Sequence, residues 1–187
     1  MRMTRQSFLF IIPFLTPLTL SILLTFTCTS TPLLAQWVSE AKSQRTCNEL
    51  NAAAFNNDTD KALDLMYPDL FKVITRDQAI ELLHKVLEKN DQFQITSMRC
   101  EPPIQTTIVG SRSLALLPIS TEARVPGGTF QYISYYLGIS DNAGSTWKFL
   151  FMKHNPDQEQ LQKILPEGIG NITIPPEQQG NFIPDVQ

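Results

Sequence analysis

At Gln92 the periodicity of the chain changes, and that switch limits the fold more than any other feature of the 187 residues. Before it, apolar residues recur at helical spacing; after it, β-branched and aromatic residues alternate with a period of two. Trp37 to about Asn57 reads as a helix, with Val38, Ala41, Ala52 and Phe55 at near-helical spacing and no Gly or Pro inside. Thr59 is placed to cap a second, short helix carrying Ala62, Leu63, Leu65 and Met66, which Pro68 ends. Thr75-Arg76-Asp77-Gln78 has the form of a capping box, and Ala79, Ile80, Leu83, Val86 and Leu87 lay an apolar stripe along a third helix until Asn90.

The strand runs are roughly Gln92 to Cys100, Gln105 to Val109, Ser113 to Val125, Thr129 to Ile139 and Thr146 to Met152. Pro126-Gly127-Gly128 and Asp141-Asn142-Ala143-Gly144-Ser145 supply hairpin turns between them. Asn155-Pro156 then opens a short helix to about Leu165, with Leu161, Ile164 and Leu165 as its apolar face. The tail 166–187 is Pro-rich and reads as loose at its end. Helices first and a meander of antiparallel strands second is an α+β plan, in which a curved sheet packs its apolar face on the helices. One domain is expected, 36–57 being its N-terminal helix and 58–165 the remainder.

Residues 1–35 are set apart as an export signal. Arg2 and Arg5 precede a charge-free run from Phe8 to Thr27, Pro13 and Pro17 interrupt it, and Leu33-Leu34-Ala35 offers a cleavage site before Gln36. The alternative is an uncleaved membrane anchor, since the run is just long enough to span a bilayer. Cleavage removes two of the 15 Lys+Arg and none of the 18 Asp+Glu, leaving 13 against 18 and a net charge of −5. With no basic cluster, nucleic acid is not an expected partner. Cleavage also removes Cys28, so the remaining Cys47 and Cys100 form a pair in a compartment where thiols oxidise. One disulfide is expected; the alternative is two buried free thiols. The localisation that follows is periplasmic or secreted.

Ala62-Leu63-Asp64-Leu65-Met66-Tyr67-Pro68, the helix opened by Thr75-Arg76-Asp77, the strand pair around Val125-Pro126-Gly127-Gly128, and Ile139 to Trp147 together resemble the nuclear transport factor two-like superfamily. That is the cone-shaped, cystatin-like fold shared with ketosteroid isomerase, scytalone dehydratase and polyketide-cyclase (SnoaL-like) relatives. The resemblance covers about Trp37 to Met152 and is greatest to secreted bacterial members without an assigned activity. It implies a cone cavity, for which Tyr67, Tyr132, Tyr136 and Trp147 are the ligand-pocket candidates. It also implies a homodimer through the sheet face as a second use of the strand aromatics.

Chemistry is harder to find. His84 stands at the edge of the third helix's apolar stripe, where the resemblance allows a general base and helix geometry favours a plain surface residue. His154 reads as a solvated turn residue, and the two histidines have no Cys, Asp or Glu at ligand spacing, so no metal and no cofactor is expected. Asp69 reads as a turn acid, and Glu122 with Arg124 as an exposed ion pair. Ser140-Asp141-Asn142-Ala143-Gly144-Ser145-Thr146-Trp147 is similar to the Asp-box hairpin of sialidase propellers, with Asn142 in place of the aspartate, and reads as a stable hairpin without a catalytic role. The sequence therefore favours an exported, non-catalytic module that binds a small apolar ligand or a protein partner. The alternative is a cavity lyase or isomerase using His84.

Overall fold

The computed structural model describes residues 31–88, 92–152, 156–176 and 178–185, with the side chains of residues 31–36 left aside. The leader reading falls largely on residues 1–30 and the His154 reading on 153–155, both outside the described residues. In chain order the elements are α1 (Thr31–Phe55), α2 (Thr59–Leu65), a 3₁₀ helix (Pro68–Lys72), α3 (Arg76–Leu87), β1 (Gln94–Cys100), β2 (Gln105–Val109), β3 (Arg112–Val125), β4 (Gly128–Ser140), β5 (Lys148–Met152), α4 (Gln158–Ile164) and β6 (Asn181–Pro184). The fold is α+β, with helices packed on an antiparallel sheet. Among the described residues, no helix is long and apolar enough to cross a membrane.

Local chemistry places the helix starts. Thr75 accepts the Gln78 amide at 3.2 Å while the Gln78 side chain accepts the Thr75 amide at 2.8 Å, so the expected capping box opens α3. Asp58 rather than Thr59 caps α2, and Asp157 caps α4. α1 begins before the expected Trp37, at Thr31. The apolar stripe of α3 is only partly used: Ala79 is buried, whereas Val86 is 54% exposed.

β3 and β4 form the spine of the sheet, paired without a break from Ser113↔Ser140 to Val125↔Gly128. Gly127, at φ +83°, makes the reversal between them in a conformation costly for a residue with a side chain. Each long strand carries two short ones end to end on its outer side. β2 and β1 lie along β3, and β5 and β6 along β4. The tail expected to be loose is therefore a strand where it reaches Asn181–Pro184, because its backbone completes the edge of β4.

Both faces of the spine are covered in its Ser140 half. Ala115 and Leu117 of β3 pack with Trp147 and Phe149 beneath α1 and α2. Leu114, Leu116, Leu137 and Ile139 pack on the opposite face with Leu161, Ile164 and Ile172 from α4 and the segment after it. Toward Val125 the second face opens, and β3 changes from continuous burial at Leu114–Leu117 to alternation from Ile119 to Arg124.

Cys47 and Cys100 form the expected disulfide, fully buried, between α1 and the end of β1. Amides of α1 complete the joint: Gln44 donates to the Cys100 carbonyl at 3.0 Å, and the Cys100 amide donates to the Asn48 side chain at 3.0 Å. Strand-edge backbone groups that would otherwise be unpaired are thus satisfied from the helix.

The Ser140–Trp147 hairpin is tied as expected. Asn142 Oδ1 accepts from the Thr146 amide at 2.8 Å and from the Ser140 hydroxyl at 2.9 Å, Ser140 Oγ accepts from the Gly144 amide at 2.8 Å, and Trp147 tucks beneath, 3% exposed. Asn142→Ala is expected to cost about 1–2 kcal/mol, because it strands these donors at a tight turn; urea denaturation of the variant measures it.

Candidate functional site

The four pocket candidates do not converge. Tyr67 belongs to the core on the α4 side of the sheet, and Trp147 to the core beneath α1. Tyr136 is half-buried on the α1 side between the rings of Phe149 and Phe151, with centroids 6.1 and 5.9 Å away. Tyr132 lies on the same face nearer Val125, tilted against Phe130 at 6.0 Å.

The tyrosines differ in surroundings. Burial raises the Tyr67 phenol, Asp141 raises it further, and Arg112, paired with Asp141 at 2.9 Å, lowers it. Burial also raises Tyr132, against a lowering by the cross-strand Thr121 hydroxyl. Tyr136, set among apolar rings, is pushed up to about 12 by burial alone. Its phenolate is disfavoured in the fold, so the unfolded chain ionises first and stability falls from about pH 10 to about 12. Following tyrosinate absorbance against pH is expected to show a last tyrosine step near pH 12, beyond the raised Tyr67 and Tyr132, which Tyr136→Phe removes.

His84 is exposed on α3 and is not in the lining of either groove described below. Asp69 pairs with Lys72 at 2.9 Å across the 3₁₀ helix. Glu122 and Arg124 are not paired to each other: Arg124 reaches Asp185 at 2.8 Å, and Glu122 accepts from Gln131 at 2.8 Å. The return of the C-terminal segment to the sheet supplies Arg124 with a nearer carboxylate, a contact that strand alternation by itself does not reveal. Among the described residues, no group of His, Cys, Asp and Glu is arranged to hold a metal ion.

Two grooves on the surface of the described residues bear on the question. One, of about 480 Å³, lies where the ends of α1 and α3 meet the start of β1, lined by Phe55, Leu87 and Ile95 with Asn57, Gln94 and Thr96 at the rim. The other, of about 500 Å³, lies on the open half of the second face, over β1, β3 and β4 and beside the C-terminal segment; of the four pocket candidates Tyr132 is in its lining, with its strand partner Thr121. Register sets its floor. Ser97, Glu122 and Gln131 form one row across the strands, and Arg99, Ser120 and Ile133 the next. The signal was present in the sequence as polar residues at every second position of β3 from Ser120 to Arg124, on the side opposite Ile119, Thr121 and Ala123. The strand partners and the tail that make it a groove were not.

The chain matches no family model, no curated protein and no solved structure.

Proposed function

We propose that this is an exported, non-catalytic α+β module of the nuclear transport factor two-like type, held by one disulfide and engaging its ligand or protein partner at the surface. The observation that carries this reading is the filling of both faces of the β3–β4 spine by side chains in its Ser140 half. Phe149, Trp147 and Leu117 occupy the side of the sheet beneath the helices where a cavity enzyme of this type would hold its substrate. A small apolar molecule or a protein would then bind outside that core. Phe130, Tyr132 and Tyr136, half-buried, and Phe151, 58% exposed, support a second copy of the chain as one form of protein partner.

Export is supported by the charge-flanked apolar run of the leader and by oxidation of the two cysteines that remain after Ala35. Intact-mass measurement of protein recovered from cells is expected to give a chain beginning at or near Gln36, outside the cytoplasm. A species that keeps residues 1–35 and sediments with membranes would favour the anchor instead.

His84→Gln separates the module from the lyase or isomerase. For the exposed side chain of a binding module, stability is expected to change by no more than about 0.5 kcal/mol. A general base at His84 would show a loss of about 10²–10⁴-fold in any turnover found.

A further inference from the structure

The polar groove over β1, β3 and β4 has a wall that the fold holds in place. β6 pairs with β4 from Gly128↔Pro184 to Gln131↔Asn181, the Asp185 amide donates to the Gly127 carbonyl at 2.9 Å, and Arg124 holds the Asp185 carboxylate at 2.8 Å. Gly180 sits so close to Phe130 that a Cβ there would lie 2.0 Å from the ring Cζ, and only glycine allows that approach. These contacts set Gln178, Gln179 and Asn181 beside the floor of the groove. Gln178 and Gln179 are themselves exposed, so burial does not account for their position.

The lining has a particular chemistry. Ile133 is its one aliphatic side chain. Its two charges cancel and are already engaged, Arg99 with Glu101 at 2.9 Å and Glu122 with Gln131 at 2.8 Å, which disfavours an ion as the ligand. Beyond them the groove presents the hydroxyls of Ser97 and Ser120 and the amides of Gln178, Gln179 and Asn181, with Thr121 and Tyr132, hydroxyl-bearing residues of neighbouring strands, also in its lining. Each of these groups both donates and accepts. The matching ligand is neutral, with closely spaced groups that also do both. A peptide recognised through its main chain would need a free strand edge, whereas the floor here is a sheet face that offers side chains only. A volume of about 500 Å³ falls within the roughly 300–1,000 Å³ of small-molecule sites.

We propose that this groove binds a neutral oligosaccharide through its hydroxyl groups. The proposal rests on the reading of the protein as a surface-binding module and, at this one surface, assigns a polar ligand in place of the small apolar one. The test is titration of the nitrogen-labelled protein with maltohexaose, cellohexaose and chitohexaose, following side-chain amide signals by NMR. At least one sugar is expected to shift the amides of Gln131, Gln178, Gln179 and Asn181 with millimolar or tighter affinity. The double variant Gln178→Ala with Gln179→Ala is expected to weaken that binding about 10-fold by removing two hydrogen-bonding groups, at an unchanged melting temperature because both side chains are exposed. Amides that stay unmoved at about 10 mM of every sugar, a regime that detects even millimolar binding, would overturn the proposal. So would shifts confined to another surface, or shifts produced by tetra-alanine and not by the sugars. Failure of the site leaves the non-catalytic reading standing, whereas shortening of a bound sugar during the titration would overturn that reading and leave the site intact.

Discussion

Cys47→Ala is expected to lower the stability of the oxidised protein by about 4 kcal/mol, the chain-entropy value for a loop closed between positions 53 apart. In a domain of this size that corresponds to roughly 10 °C in melting temperature. Besides closing the loop, the bond joins α1 to β1 at a point where helix packing is polar. Ser43 and Asn51 are buried on the helix side, Asn51 donates to the Cys100 sulfur at 3.3 Å, and Gln44 and Asn48 bond the Cys100 backbone. With Leu50 and Ala53 as its main buried apolar contacts, α1 depends on this joint more than an amphipathic helix would. Denaturation of wild type and variant, each with and without reductant, measures the effect. The oxidised wild type is expected to stand apart and the other three samples to unfold together; a variant that melts with the oxidised wild type would contradict the assignment.

Trp147→Ala is expected to cost about 3–5 kcal/mol, the range for removing a buried aromatic side chain from a packed core. Trp147 lies against Gly138 of β4, where an added Cβ would meet the indole Cε3 at 3.2 Å, so the ring already fills the space above the strand. A ligand-lining tryptophan would behave differently, losing binding while the fold held. Trp147→Phe is expected to cost less, because the buried indole Nε1 has no hydrogen-bond partner among the described residues and its removal leaves no group unpaired. Urea midpoints for the two variants settle the order.

The capping box at Thr75 and Gln78, the tied hairpin at Asn142 and the turn at Gly127 are written within a few residues of chain, and local chemistry is sufficient to read them. The disulfide was readable for a different reason: on the expectation that the leader is removed, two cysteines remain, and two have one pairing. Alternation placed Tyr132 and Tyr136 of β4 on one face and Tyr135 on the other without saying what lay against either. Packing answers that. α4 and the segment through Ile172 cover the Tyr135 face, while Phe149 and Phe151 of β5 flank Tyr136.

The groove divides in the same way. The α+β order, the switch to strands near Gln92 and the cysteine pair were legible from the chain alone. These follow from periodicity and from rules that act over a few residues. Tertiary structure alone decided that Ser97, Glu122 and Gln131 share a row, that Arg124 pairs with Asp185, and that Gln178 and Gln179 stand beside them. Those neighbours are brought together by strand register and by the return of the C-terminal backbone to the free edge of β4. A β period of two specifies which face a side chain takes, but not which distant strand lies beside it.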